Sequence, residues 1–175
     1  MNIPLNTYET TTMQAKIIFQ NKRVGEELAL VVVSDQDLTT LSFANKTFRN
    51  YIFSNCELSG ADFTYSELYN CKFRNCKMTA TDFTGAIIED SLFHKCSAKA
   101  INFSHTHIFR PMFSMSYFKD AVFYKADIPF FHAYFPCFEG VDFTTANITD
   151  TFALIGNLKN AKALPHQGFR VKRGG

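Results

Sequence analysis

From Leu38 onward the chain places an apolar residue at every fifth position: Leu38, Phe43, Phe48, Phe53, Leu58, Phe63, Leu68, Phe73 and on through Ile148. Only Ala98 and Ala133 interrupt the series of large side chains, and it holds 13 of the 20 Phe of a 175-residue chain. An amphipathic helix repeats its apolar face every ~3.6 residues and a half-buried strand every ~2. A period of five satisfies neither. Each unit must therefore be a short extended piece followed by a turn that brings the next apolar residue back to the same interior.

A second period of 20 lies on the first. Stepping by 20 from Phe43 gives Phe63, Phe83, Phe103, Phe123 and Phe143, and from Phe48 it gives Leu68, Ile88, Ile108, Ile128 and Ile148. The words around the first column repeat as well: Ala61-Asp62-Phe63-Thr64, Thr81-Asp82-Phe83-Thr84, Val141-Asp142-Phe143-Thr144. Four units thus close one coil, and residues 41–160 hold six coils without an insertion. Leu28 and Val33 keep the register upstream, as do Leu158 and Ala163 downstream. The residue two before each central one is mostly small (Cys56, Ala61, Ser66, Cys71, Cys76, Thr81, Ala86), as a square coil requires beside its axis. A fixed period of this length is the mark of a solenoid.

The pattern resembles the A(D/N)LXX consensus of the pentapeptide-repeat family over residues 28–163. The resemblance implies an all-β fold, a right-handed quadrilateral parallel β-helix of six to seven coils of 20 residues. Residues 1–27 then read as an N-terminal cap or polar leader, and 164–175 as a C-terminal basic tail. Segments such as Phe48–Leu58 and Tyr69–Cys76 are similar in style to the Qnr and MfpA quinolone-resistance proteins of that family. That likeness implies binding to DNA gyrase or topoisomerase IV, with protection from topoisomerase poisons.

Charge and leader set further expectations. The formal net charge is +2, with both signs on every coil, so the chain lacks the strong field of a nucleic-acid binder or of a DNA mimic. No apolar run approaches the ~20 residues of a membrane-spanning helix. The start, Met1 to Gln14, is polar and Thr-rich, with no basic-then-apolar signal pattern. The expected compartment is the bacterial cytoplasm, or export by a specialised system that needs no Sec signal. The Thr-rich start suits the second route, that of a secreted effector.

No constellation for catalysis emerges. Cys56, Cys76 and Cys96 fall in one interior column where adjacent Cα atoms suit a disulfide. They fill the slot that Ala and Ser fill elsewhere, and a column is not a tetrahedral site. The expectation is reduced, metal-free thiols, with Cys137 facing out. His94, His105, His107, His132 and His166 neighbour no activated Ser or Cys. Asp62, Asp82 and Asp142, with Asn102, read as a solvated repeat position. The 8 Gly are scattered and form no phosphate loop. Neither catalytic residue, metal nor cofactor is assigned.

The outward positions carry the functional signal. Around the centres Phe53, Phe73, Phe93, Phe113, Ala133 and Ala153 the early coils are polar, with Ser54, Asn55, Lys72 and Arg74. Later coils place Leu92, Met112, Met115, Tyr134, Phe135, Phe152, Leu154 and Ile155 at outward positions, with Phe109 and Phe130 on the adjoining face. Contiguous exposed apolar surface marks an interface, and aromatic and Met side chains are enriched there. The reading is a non-enzymatic protein-interaction module of undefined partner, with a topoisomerase as the alternative partner and no direct contact with nucleic acid. The same surface also predicts a homodimer through the C-terminal coils, using Tyr134, Phe135, Phe152 and Leu154 or the edge beside them. Within the segment 129–136, Phe131 takes a small-residue slot while Ala133 takes a central one, a swap that conserves volume.

Overall fold

The computed structural model describes residues 30–39, 41–163 and 169–171, and the side chains of these except 153–155 and 169–171. Among them there is no helix; the chain winds as a parallel, four-walled β-coil. One wall stacks β1 (Val31–Ser34), β3 (Tyr51–Ser54), β5 (Lys72–Arg74), β7 (Leu92–His94), β9 (Met112–Ser114), β11 (His132–Tyr134), β13 (Phe152–Ile155) and β14 (Phe169–Val171). Another stacks β2 (Thr47–Arg49), β4 (Glu67–Tyr69), β6 (Ile87–Glu89), β8 (His107–Phe109), β10 (Asp127–Ile128) and β12 (Asn147–Ile148). We call these the long and the short strand wall. The other two are narrower, each a ladder of single bridges: Asp37↔Glu57↔Lys77 onward, and Ser42↔Asp62↔Asp82 onward. Pairing partners lie 20 residues apart, as in Phe53↔Phe73 and Leu68↔Ile88. The all-β, four-sided parallel fold expected from the sequence is the fold observed.

The core follows from the five-residue step. Phe43, Phe63, Phe83, Phe103, Phe123 and Phe143 are all buried. Their rings stack along the axis, with centroids 4.5 Å apart for Phe43–Phe63 and 4.8 Å for Phe63–Phe83. A second stack runs through Phe53, Phe73 and Phe93 at 5.0 Å spacing. The two stacks meet edge to face, as in Phe63–Phe73 at 86°. Offset stacking along a column and edge-on contact between columns are both favoured by the ring quadrupole. The swap in the fifth coil preserves the interior: Phe131 and Ala133 are both fully buried, and Phe131 packs 5.5 Å from Phe113. Toward the C-terminal end the core opens, since Ile148 and Leu158 are only half-buried.

Backbone groups are satisfied between coils. Phe63 donates its N–H to Asp82 O at 2.7 Å, and Asp82 donates to Ala61 O at 3.0 Å. The small slots are small because the chain turns tightly there, with Ala61 N–H bonded to Leu58 O at 2.9 Å. Most hydroxyls in these slots bond to carbonyls, as Ser66 to Phe63 O at 2.7 Å and Thr81 to Leu58 O at 2.8 Å, Thr151 being the exception among the described residues. Burial therefore leaves most of those polar groups paired.

Corners impose the second rule of the fold. The last residue of nearly every unit adopts a left-handed conformation, with φ of 59° at Asn50, 56° at Asn55 and 51° at Asn70. Asn, Asp and Gly tolerate this region best. In the early coils the corner amides also form ladders: Asn55 Nδ2 donates to Asp35 Oδ1 at 3.0 Å and Asn70 Nδ2 to Asn50 Oδ1 at 2.7 Å. In the sixth coil Asp150 and Asn160 keep the left-handed corner, and Thr145 breaks it. Thr145 has no positive φ, and its hydroxyl takes the N–H of Lys125 at 3.0 Å.

The C-terminal segment adds one strand. β14 lies parallel to β13 with Ala153↔Phe169 and Ile155↔Val171, a spacing of 16 instead of 20. It extends the long wall past the last bridged coil and covers that wall's open edge. The proposed cap or leader, 1–27, lies outside the described residues.

Candidate binding face

The long wall turns its outer surface from polar to apolar along the rod. Its corner column runs Asp35, Asn55, Asn75, Lys95, Met115, Phe135. The corner column of the short wall beside it runs Asn50, Asn70, Asp90, Arg110, Phe130, Asp150. Bulky apolar residues take later corners that Asn or Asp hold in the first coils, with φ of 50° at Met115, 57° at Phe130 and 48° at Phe135, before the short wall returns to Asp150. A left-handed conformation costs an ordinary side chain about 1–2 kcal/mol. These three side chains are also exposed, by 55%, 42% and 42%. Strain and exposed apolar surface thus coincide at the same residues.

The patch is continuous. Phe109 and Phe130 meet edge to face at 5.4 Å, and Arg110 covers Phe109 at 4.7 Å while bonded to Asp90 at 2.6 Å. Met112, His132 and Phe152 are in register on successive strands. Phe152 touches the rings of His132 at 6.4 Å and Tyr134 at 5.8 Å. Met112, Tyr134 and Phe152 are exposed, whereas Leu92 and Phe109 are half-buried. Leu154 pairs with Tyr134 through the backbone. The side chains of Leu154 and Ile155 lie outside those described.

Other exposed apolar residues, absent from the sequence reading, stand apart on the bridge walls: Tyr65, Tyr117, Val122 and Tyr124. The same outward-position rule finds them. Tyr65 lies across Gly85, where a Cβ would come within 2.5 Å of its ring and φ is +68°. Tyr124 packs on His105 at 5.4 Å and carries Lys125 at 5.2 Å. A concavity of about 300 Å³ beside it is lined by Asp120, Val122, Tyr124, Gly140 and Asp142.

Residues weighed for chemistry have structural roles. Asp62 Oδ1 accepts from Thr64 N–H at 2.9 Å and from the Thr64 hydroxyl at 2.8 Å. Asp82 with Thr84 and Asn102 with Ser104 repeat this turn, which explains the recurring Asp-Phe-Thr word. His107 Nδ1 lies 2.9 Å from Asp127 Oδ2, and His94 Nδ1 lies 3.2 Å from the Ser114 hydroxyl. All five Cys are free thiols. Cys56, Cys76 and Cys96 are buried and point their sulfurs at carbonyls, as Cys56 at Val33 O, 3.4 Å. Contact with the Cys76 thiol, together with burial, pushes the Cys56 thiol well above its ordinary range. Burial, with Cys71 nearby, pushes the Tyr51 hydroxyl up to about 12. Cys137 is half-buried. Among the described residues no three His, Cys, Asp or Glu side chains converge to hold a metal ion. No helix among them is long and apolar enough to cross a membrane.

The family model described as "Pentapeptide repeat region" matches residues 34–103. No curated protein sequence matches the chain. Among solved structures, HetL, a pentapeptide repeat protein involved in heterocyst differentiation regulation in the cyanobacterium Nostoc sp. strain PCC 7120, is 17% identical. The match covers 77% of this chain and 62% of HetL, with a TM-score of 0.40. This chain thus spans less than two thirds of HetL. QnrB1, a plasmid-mediated fluoroquinolone resistance protein, is 16% identical over 82% of this chain and 89% of its own, with a TM-score of 0.45. A pentapeptide repeat protein of the Arabidopsis thaliana thylakoid lumen is 16% identical over 62% and 69%, with a TM-score of 0.25.

Proposed function

We propose that this chain, which belongs to the pentapeptide-repeat family, is a non-enzymatic protein-docking rod whose contact surface is the outer face of its C-terminal coils. The observation that carries the reading is the coincidence at Met115, Phe130 and Phe135 of left-handed backbone with exposed apolar side chains. The first coils place Asn or Asp at the equivalent corners, which relieves the strain and suits water. Tyr65 departs in the same way as a single corner, but three such corners clustered on adjoining walls, with the coil kept intact, fit a surface retained for contact. Met, Phe and Tyr are side chains that interfaces favour.

A second copy of the chain is the first partner to test, because an apolar face at one end of a rod suits two-fold pairing. The strand β14 bears on how such a dimer forms. It takes the edge of the long wall from β13, so pairing through an edge would use β14, whereas pairing through Tyr134, Phe135 and Phe152 uses the outer face. The test is Tyr134→Lys combined with Phe135→Glu. The fold, read by circular dichroism, is expected to survive, while self-association in sedimentation velocity or retention of a different partner is lost. Unfolding of the variant would assign these side chains to the core and defeat the proposal.

A further inference from the structure

The polar end of the long wall has a sign. Lys72, Arg74 and Lys95 lie on its outer surface, with His94 between them. Among the described residues no carboxylate forms a salt bridge with any of the three. Some cations elsewhere are paired, Lys77 with Glu57 at 3.3 Å, Arg110 with Asp90 at 2.6 Å and Lys119 with Glu139 at 2.9 Å, while among the described residues Lys46, Lys99 and Lys125 stand without a salt bridge on other walls. The only carboxylate of this wall among the described outward side chains is Asp35, at the far end and hydrogen-bonded by Asn55 at 3.0 Å. Acidic side chains gather instead on the neighbouring short wall, with Glu67, Glu89, Asp90, Asp127 and Asp150, and on the opposite wall, with Asp62, Asp82 and Asp142. Those walls also carry cations, Arg49 and Arg110 on the short one and Lys125 and Lys162 on the opposite one, whereas the polar end of the long wall is cationic with no carboxylate but Asp35 among the described residues.

Register joins this cationic band to the aromatic patch. Lys72, Leu92, Met112, His132 and Phe152 form one column of paired residues, and Arg74, His94, Ser114 and Tyr134 form the next. Four coil steps of about 4.8 Å carry the first column from Lys72 to Phe152, about 19 Å in all. Six residues of extended polypeptide span that length at about 3.3 Å each.

We infer that the long wall receives an acidic polypeptide segment with apolar anchors, laid along the rod axis with its carboxylates over Lys72, Arg74 and Lys95 and its anchors over Met112, Tyr134, Phe135 and Phe152. This deepens the docking reading and rests on it. Two-fold pairing confined to the aromatic coils leaves the cations uncovered, and parallel pairing of the whole wall opposes like charges, which is unfavourable. A single-stranded nucleic acid needs cations along its whole track with aromatic rings interleaved. Here the rings follow the cations instead of alternating with them, so a run of stacked bases finds no continuous cationic track.

The experiment pans a phage-displayed library of random 12-residue peptides on the full chain, then measures a synthetic peptide from the enriched set. The expected winners join an Asp/Glu run to Phe, Leu or Trp. Their affinity is expected to fall about tenfold on Lys72→Glu/Arg74→Glu/Lys95→Glu and to be lost on Tyr134→Lys/Phe135→Glu, with both variants folded by circular dichroism. Winners without acidic bias, lost on the aromatic variant but indifferent to the cation variant, would overturn the acidic-partner inference and leave the docking reading standing. Winners indifferent to both variants would overturn both. A stable dimer abolished by the aromatic variant would assign the wall to a second copy and overturn the inference. Displacement of the peptide by oligothymidylate would assign it to nucleic acid, with the same consequence.

Discussion

Phe135 occupies the same left-handed corner as Asn75, three coils further along the rod, with φ of 48° against 52°. Asn75 donates its amide to Asn55 at 3.3 Å, whereas the Phe135 side chain is 42% exposed. Phe135→Asn is therefore expected to raise stability by about 0.5–1 kcal/mol through relief of the corner, while weakening association. Urea titration reads the first effect and partner retention the second. A stability loss above about 1 kcal/mol would mean that Phe135 contributes packing that its exposure does not suggest.

The axial stack is the source of cohesion. Phe83 lies between Phe63 at 4.8 Å and Phe103 at 5.4 Å and meets Phe73 and Phe93 edge-on. Phe83→Ala leaves a cavity that the neighbouring coils cannot close, so a loss of about 3–5 kcal/mol is expected in denaturant titration. A loss below about 1 kcal/mol would contradict the stacked core.

Thiol reactivity follows burial and thiolate content. In native protein Cys137 is expected to react first with a disulfide reagent, and Cys56 last, because burial and the Cys76 contact hold its proton. Mass spectrometry of partially labelled, digested protein reads the order. Early labelling of Cys56, or a Cys56–Cys76 bridge in unreduced protein, would contradict it. Replacement of Cys56, Cys76 and Cys96 together by Ala is expected to leave a folded coil, with a loss of about 1–3 kcal/mol.

Acid is expected to loosen the coil through its turns. The Thr39 hydroxyl and amide hold Asp37 below its ordinary 3.8, and Thr144 does the same for Asp142. A bond from Lys119 holds Glu139 below its ordinary 4.5. For groups lowered in the folded state, the unfolded chain takes up protons first as pH falls. Their stabilisation is complete above the ordinary values and fades as pH drops through the folded ones. The melting temperature should therefore lose this contribution below about pH 4. Asp142→Asn should keep the turn, as Asn102 does with Ser104, and should flatten the acid slope. A slope unchanged by the substitution would place the acid sensitivity elsewhere.

The coil was legible in the sequence because one rule, an apolar residue every fifth position, fixes core, walls and stacking together. The exchange of Phe131 and Ala133 could be read as harmless because interior volume is what the coil conserves. Outward apolar positions such as Met115 and Phe135 were legible from the same register. Their left-handed backbone was not drawn from the sequence, since the period says which way a residue points and not what its φ is. The pairing of Phe169–Val171 with β13 depends on a spacing of 16 that no repeat announces. Nor did the chain order display the charged walls: Lys72 and Lys95 become neighbours of one surface, and Asp90 of another, only once the coil is closed.

The central claim, that the aromatic corners serve contact, is tested most directly by quantitative affinity capture from one lysate with the wild type and the folded Tyr134→Lys/Phe135→Glu variant. The account predicts at least one protein, a second copy of the chain included, that the wild type retains and the variant loses by about tenfold or more, as removal of central aromatic contacts commonly does. Equal retention of the same proteins by both would contradict it.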